Sequence, residues 1–249
     1  MARVALVIGG AQGIGAATAR RLAEDGLTVA VADIKTELAK EVAGKLIGQG
    51  HQAFKVDVTE ESSVAALFAN VERALGPVAV LVCVAGGTFG GHGRGIAETT
   101  LDIWMQTEAL NGRGTFLCIR EFLRLRKAKP LPDSRVITFS SLAGLQPGSR
   151  TGPAYSAQKA AIQALTRWTA LEGAPFGITA HAMAPGLIDT PPVRADMSDE
   201  IRERLIRDTP IHRMGEAADV AAAVSFLVSP QSGYMTGCTI EINGGRHMA

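Results

Sequence analysis

Apolar residues in this chain come in two rhythms. Short unbroken runs of strand length fall near residues 3–8, 28–32, 52–57, 78–84, 135–140, 178–183 and 238–242. Between them, apolar positions recur at helical spacing near 13–25, 36–48, 60–75, 100–128, 152–172 and 216–228. Unbroken runs suit strands covered on both faces, and the intervening amphipathic stretches supply the covers. Their alternation predicts an α/β architecture: a doubly wound parallel sheet of about seven strands, with helices on both faces and right-handed crossovers. No linker-like stretch interrupts the pattern, so residues 1–249 are expected to form a single domain. The segment from Pro191 to Arg213 breaks the rhythm. It is charged, opens on Pro191-Pro192 and holds one short helical stretch near Ser198 to Arg207. A connection of that length is usually functional, and a lid is the expectation.

Where the first strand meets the first helix, the glycines are spaced Gly9-x-x-x-Gly13-x-Gly15. Glycines there allow positive φ and let backbone lie against a pyrophosphate, whose charge then faces the helix N-terminus. The second strand ends at Asp33, 20 residues beyond Gly13. A carboxylate at that point can accept hydrogen bonds from ribose hydroxyls and would repel a 2′-phosphate. Ala11, Gln12 and Ile34 offer no cation to offset it, and Lys35 is the one basic residue nearby. NAD is therefore expected over NADP. The competing role for Asp33 is to cap the helix that follows.

Tyr155 precedes Lys159 by four residues, in a stretch opened by Pro153 and rich in alanine. Pro153 suits a first helical turn, so the phenol and the ammonium should share a helix face. An ammonium beside a phenol favours the phenolate and makes it a candidate general base.

Composition narrows the field. The chain is 47% hydrophobic and 20% charged with a net charge of +1, which suits a globular protein and gives no reason to expect nucleic acid. Cys83, Cys118 and Cys238 are widely spaced and lack a C-x-x-C, so they read as thiols in a reducing compartment rather than disulfides or metal ligands. No apolar run approaches the ~18 residues of a membrane span, and the first strand leaves no room for a signal peptide. A cytoplasmic protein without a metal is expected.

Taken in order, these segments resemble the short-chain dehydrogenase/reductase family, in its branch of Tyr-x-x-x-Lys enzymes, and the resemblance spans essentially the whole chain. Besides the glycine turn, Asp33 and Tyr155/Lys159, it rests on Val56-Asp57-Val58, Leu110-Asn111-Gly112, Phe139-Ser140-Ser141, Ala184-Pro185-Gly186-Leu187-Ile188-Asp189-Thr190, Tyr234-Met235-Thr236-Gly237 and Asn243-Gly244-Gly245. The resemblance implies a Rossmann-like fold and hydride transfer between a nicotinamide cofactor and a secondary alcohol or ketone. It implies a catalytic set of Asn111, Ser141, Tyr155 and Lys159, with Asn111 in a distorted helix. It places Gly9, Gln12, Gly13, Ile14, Gly15, Asp33, Ile34, Asp57, Val58, Ala85, Gly86, Tyr155, Lys159, Pro185, Gly186, Ile188 and Thr190 at the dinucleotide, and makes 191–213 the substrate lid. Arg94, Arg150 and Leu187 border the implied substrate pocket, and the two arginines suit an anionic group. Arg194 and Arg213 flank the lid.

Three positions depart from the family pattern. Ile8 stands where Thr is usual, Cys83-Val84 where Asn-Asn is usual, and His181 where Asn is usual. Ile8 and Cys83 should end adjacent strands, so either a hydrogen bond has been removed from both sides at once, which can be nearly neutral, or the cofactor site is loosened. An NADP-preferring carbonyl (3-oxoacyl-type) reductase and a non-catalytic dinucleotide sensor remain as alternatives. The stretches Trp104–Leu125 and Ala160–Leu171 are apolar on more than one side, which points to a homodimer or homotetramer packed through them.

Overall fold

Strand β1 (Val4–Ile8) shows why the sheet lies at the centre of the molecule. Val4, Leu6 and Ile8 face one core, beside Phe68, Leu117 and Phe122, while Ala5 and Val7 face another, beside Leu22, Val220 and Leu227. Alternate residues of an extended chain point to opposite faces, so a strand with no polar residue is covered on both. The computed structural model describes residues 2–146, 150–195 and 197–248.

The other strands are β2 (Thr28–Asp33), β3 (Gln52–Lys55), β4 (Val78–Cys83), β5 (Ser134–Phe139), β6 (Ile178–Pro185), β7 (Ile188–Asp189), β8 (Gly215–Glu216) and β9 (Thr239–Ile242). Seven of the nine form one sheet in the order β3-β2-β1-β4-β5-β6-β9, and every pairing is parallel. The short strands β7 and β8 pair with each other. Helices α1 (Gly13–Glu24), α2 (Thr36–Gly44) and α9 (Ala217–Val228) cover one face. Helices α3 (Glu61–Leu75), α5 (Gly114–Ala128) and α6 (Gly152–Gly173) cover the other. Helices α4 (Leu101–Glu108), α7 (Pro191–Ala195) and α8 (Asp199–Arg207) lie toward the carboxyl ends of the strands. This is the Rossmann-like doubly wound sheet that the alternation predicted. Strand order reverses between β1 and β4, and the crevice outside that reversal is where such sheets bind ligands.

Ile8 and Cys83 are register partners, both buried, and share one core. The apolar replacements therefore meet each other, and neither leaves a polar group unpaired. Cys118 of α5 adjoins Cys83, and a hydrogen bond with it, together with burial, pushes the Cys83 thiol well up. His181 is buried in β6, where its Nε2 donates to Met235 O at 3.0 Å and burial lowers its pKa.

The expected helix over 100–128 is interrupted. Residues Ala109–Arg113 form a π-helical turn between α4 and α5. The Asn111 side-chain amide donates to Thr107 O at 2.8 Å, engaging a carbonyl of the preceding turn where the hydrogen-bond ladder shifts. Helix α2 stops at Gly44, short of the expected 48. Asp33 does not cap it, because its carboxylate accepts from Lys35 N at 2.9 Å, ahead of the first turn. The segment after Thr190 carries two helices rather than one.

Candidate active site

Two connected hollows open at the carboxyl ends of the strands. The first is a cleft of about 380 Å³ over β1, β2 and β4, walled by the glycine turn, Asp33, Asp57, Ala85, Gly86 and Thr190. The glycines are required by close contact. A Cβ on Gly9, which has φ +84°, would come within 2.5 Å of Ala85 N, and one on Gly15 would lie 2.0 Å from Gly9 O. Asp33 is fixed in its aim, since one carboxylate oxygen accepts from Ala11 N at 3.1 Å and the other from Lys35 N at 2.9 Å. A carboxylate has lone pairs to spare after two such bonds, so ribose hydroxyls could still be accepted. Asp57 accepts from Thr59 N at 2.9 Å and Thr59 Oγ1 at 2.7 Å, which holds the turn after β3 against the cleft. Shape and donor set fit a dinucleotide.

Most residues expected at the dinucleotide line this cleft: Gly9, Gln12, Gly13, Ile14, Asp33, Ile34, Asp57, Val58, Ala85, Gly86 and Thr190. Three do not line either hollow. Gly15 lies beneath Gly9, where its lack of a side chain lets helix and turn touch. Pro185 is buried at the end of β6, paired with Ile242, and Lys159 is buried behind Gly86. Gly186, Leu187, Ile188 and Tyr155 face the second hollow. Ile8, Lys35, Val56, Val84, Leu110 and Pro192 also wall the cleft. Lys35 was noted as the nearby cation, and the others were not assigned to the dinucleotide because strand-end apolar residues and a proline carry no chemical signal of their own.

The second hollow, of about 750 Å³, lies beyond Gly86 and shares Pro192 with the cleft. Ser141 and Tyr155 stand on its wall. The Ser141 hydroxyl accepts from Ala143 N at 3.2 Å, capping the turn after β5, and also hydrogen-bonds Tyr155. Lys159 Nζ donates to Phe139 O at 2.7 Å and lies 5.3 Å from the centre of the Tyr155 ring. Ser140 ties strand to helix, its hydroxyl donating to Lys159 O at 2.8 Å and accepting from Gln163 Nε2 at 2.9 Å. Asn111 is wholly buried, donating to Gly87 O at 2.8 Å and accepting from Gly87 N at 3.2 Å. A Cβ on Gly86 would lie 2.7 Å from Asn111 Oδ1 and 3.1 Å from Lys159 Nζ. Asn111 and Lys159 thus meet at Gly86, and Lys159 in turn adjoins the Tyr155–Ser141 pair.

Their electrostatics differ from expectation in one respect. Burial pushes the Tyr155 phenol up to about 12, against an opposing pull from the Ser141 hydrogen bond. Lys159, 3% exposed, is itself driven down to about 7 by burial. For the phenol, desolvation outweighs the pull of the Ser141 hydrogen bond, and the enclosed site favours its protonated form.

The cavity corrects one of the arginine expectations. Arg94 is exposed and away from the cavity, its Nε donating to Gly90 O at 3.0 Å within its own loop. That loop is pinned to the start of α6, where Gly93 N donates to Arg150 O at 2.8 Å. Arg150 does line the cavity, as does Leu187. Arg194 is held outside by Asp189, with contacts of 2.6 and 2.7 Å, and Arg213 pairs with Asp219 at 2.8 Å. Arg204, Asp208 and Arg246 line the cavity and were not anticipated, since helix phase in a charged segment and the return of the chain end are tertiary facts. No cluster of His, Cys, Asp or Glu suited to a metal occurs among the described residues.

A family model described as Enoyl-(Acyl carrier protein) reductase matches residues 9–247. A protein of Hericium erinaceus named short-chain dehydrogenase/reductase eriH is 38% identical, over 98% of this chain and 97% of that one. The cis-4-hydroxycyclohexanecarboxylate dehydrogenase of Sinomonas cyclohexanicum is 36% identical, over 98% and 96%. The crystal structure of gox2181 superposes with a TM-score of 0.90 at 32% identity, covering 98% of this chain and 95% of that one. The chain thus belongs to the short-chain dehydrogenase/reductase family, oxidoreductases that act on CH–OH donors with a nicotinamide dinucleotide.

Proposed function

We propose that the protein is an NAD-dependent enzyme interconverting a secondary alcohol and a ketone, with Tyr155 as its acid/base. The observation that carries this reading is the gathering of Ser141, Tyr155, Lys159 and Asn111 where cleft and cavity meet. A dinucleotide held by the glycine turn, Asp33, Asp57 and Thr190 supplies the hydride acceptor or donor. In ketone reduction the neutral Tyr155 phenol gives its proton to the substrate oxygen while Ser141 orients that oxygen. In alcohol oxidation the same group takes the proton and must first be ionised. Lys159 and Asn111 lie behind Tyr155, where they hold the region around Gly86 and Gly87 in place and lead protons away. Such an acid/base group contributes ~10²- to 10⁴-fold to the rate.

Asp33 supports NAD, because its fixed carboxylate would repel a 2′-phosphate. Lys35 on the same wall is the one observation that favours NADP. The segment 191–213 is the substrate lid in this reading, supported by Pro192, Val193, Met197 and Leu205 on the cavity wall. The substrate is a small molecule carrying an anionic group. The assembly is a homodimer or homotetramer. A cytoplasmic location agrees with three free thiols.

A turnover screen with NAD and NADP against secondary alcohols, hydroxy acids and hydroxyacyl thioesters tests the reading. Tyr155→Phe should lower turnover by at least ~10²-fold while leaving NAD affinity nearly unchanged, since it deletes the proton acceptor and little cofactor contact. A Tyr155→Phe enzyme that kept most of its activity would overturn it.

A further inference from the structure

The lid region contains five arginines, and four of them have carboxylate partners: Arg194 with Asp189, Arg202 with Asp199, Arg207 with Glu203 and Arg213 with Asp219. The fifth, Arg204, is the one that lines the cavity, and no carboxylate lies within ion-pair distance of it among the described residues. Arg246, brought back from the end of the chain, also lines the cavity and has no carboxylate partner among the described residues. Arg150 adds a third guanidinium from the segment before α6. Among the described residues the one carboxylate on the wall is Asp208, so Arg204 and Arg246 give this part of the cavity excess positive charge.

The same cavity wall carries apolar residues, among them Leu142, Leu187, Val193, Met197 and Leu205. A ligand that matches such a wall has a reacting carbinol at one end, an apolar body, and an oxyanion at the other end. Guanidinium forks suit carboxylate geometry in particular. Resting on the reading of Tyr155 above, we propose that Arg204 of the lid and Arg246 of the C-terminal segment recognise a carboxylate of the substrate and determine its specificity. Because Arg204 rides on α8, the substrate anion also draws the lid onto the cavity. Arg150 strengthens the same field.

The test is a series of hydroxy acids from 3-hydroxybutyrate to 6-hydroxyheptanoate, each paired with its carboxamide, so that the distance from carbinol to anion is scanned. For at least one length the wild type should prefer acid to amide in kcat/KM by about tenfold or more, the scale of one well-placed charged contact. Arg204→Gln and Arg246→Gln should each erase most of that preference, raising KM for the acid far more than for the amide. Calorimetry with the NAD-loaded Tyr155→Phe protein gives a readout without turnover: butyrate to heptanoate should bind, their amides should not, and either arginine change should remove the binding. Amides turned over as well as acids at every length would overturn the proposal and leave the reading of Tyr155 intact. If neither series reacts with NAD or NADP, that reading fails, and calorimetry alone decides on the arginines. Carboxylate binding unaffected by either change, or no carboxylate binding at all, overturns their role.

Discussion

In the proposed reaction Tyr155 is the acid/base, and burial of its phenol then sets how each direction depends on pH. A phenol held at about 12 is almost wholly protonated near neutrality. Reduction needs the protonated form and oxidation needs the ionised one, which grows about tenfold per pH unit below the pKa. Alcohol oxidation should therefore climb from pH 7 to 10, while ketone reduction should not. An oxidation rate that is flat or falling over that interval would contradict this account. Difference titration at the phenolate absorbance, ligand-free wild type against Tyr155→Phe, isolates the residue. Ionisation at an ordinary tyrosine value near 10 would show that burial does not govern it. Asp33 makes the second prediction at this scale. Replacing it by Ala together with Ile34→Arg exchanges repulsion for a phosphate partner, so an NAD preference of about tenfold or more should narrow or invert. The ratio of kcat/KM for the two cofactors measures it, and a wild type that prefers NADP would refute the assignment. Because Asp33 also accepts from Ala11 N and Lys35 N, Asp33→Ala should lower stability as well, by ~1 kcal/mol for each bond lost.

At the scale of elements, the π-helical turn, the end of β4 and the start of α6 meet around Gly86 and Gly87. Asn111 clamps Gly87 from both sides of its peptide, and Gly86 leaves no room for even a methyl group. Gly86→Ala should displace Asn111 and Lys159 and reduce turnover about tenfold or more, since small displacements of positioned groups are costly. Combining it with Asn111→Ala should cost less than the two separate losses together, because removing the amide makes room for the methyl. Strict additivity in that cycle would mean that the two residues do not meet. The elements themselves were largely legible in the sequence, because an unbroken apolar run such as Val4–Ile8 has few alternatives to a buried strand. The glycine turn and Asp33 were read from residue type and position, whereas Ser141 entered only through the family resemblance and the Tyr155/Lys159 pair gained its weight from the motifs around it. Arg204 and Arg246 were not, because neither helix phase in a charged lid nor the path of a chain end follows from local pattern. Nor was the raised phenol, for desolvation depends on how completely the finished fold encloses a group.

For the whole molecule, the open question is what covers the outer faces of α5 and α6. Trp168 and Leu171 of α6 are 67% and 68% exposed, and Phe116 of α5 is 43% exposed. Phe116 and Trp168 flank a groove of about 460 Å³ between the two helices, floored by Ile119, Leu123 and Leu165, and Leu171 adjoins Trp168 in a neighbouring hollow. The alternative reading of these faces, small alanines tolerated at the surface, does not account for a tryptophan and a leucine side by side in water. Burying each such side chain is worth roughly 1.5–3 kcal/mol, so a two-fold packing of α5 and α6 against their own copies would be strongly favoured. Arg120, Arg124, Lys127 and Glu172 ring the groove and supply the polar rim of such an interface. Sedimentation at micromolar concentration should give a species of twice or four times the 26.0 kDa chain. Trp168→Glu with Leu171→Glu should shift it toward the monomer and lower the melting temperature, because charge at the centre of the face opposes pairing. Helix α6 carries Tyr155 and Lys159 in its N-terminal half, about 20 Å and 14 Å along the axis from Trp168. Losing the partner should therefore weaken turnover by loosening that helix rather than by removing any group from the site. A wild-type monomer with full activity would leave the exposed tryptophan without a function.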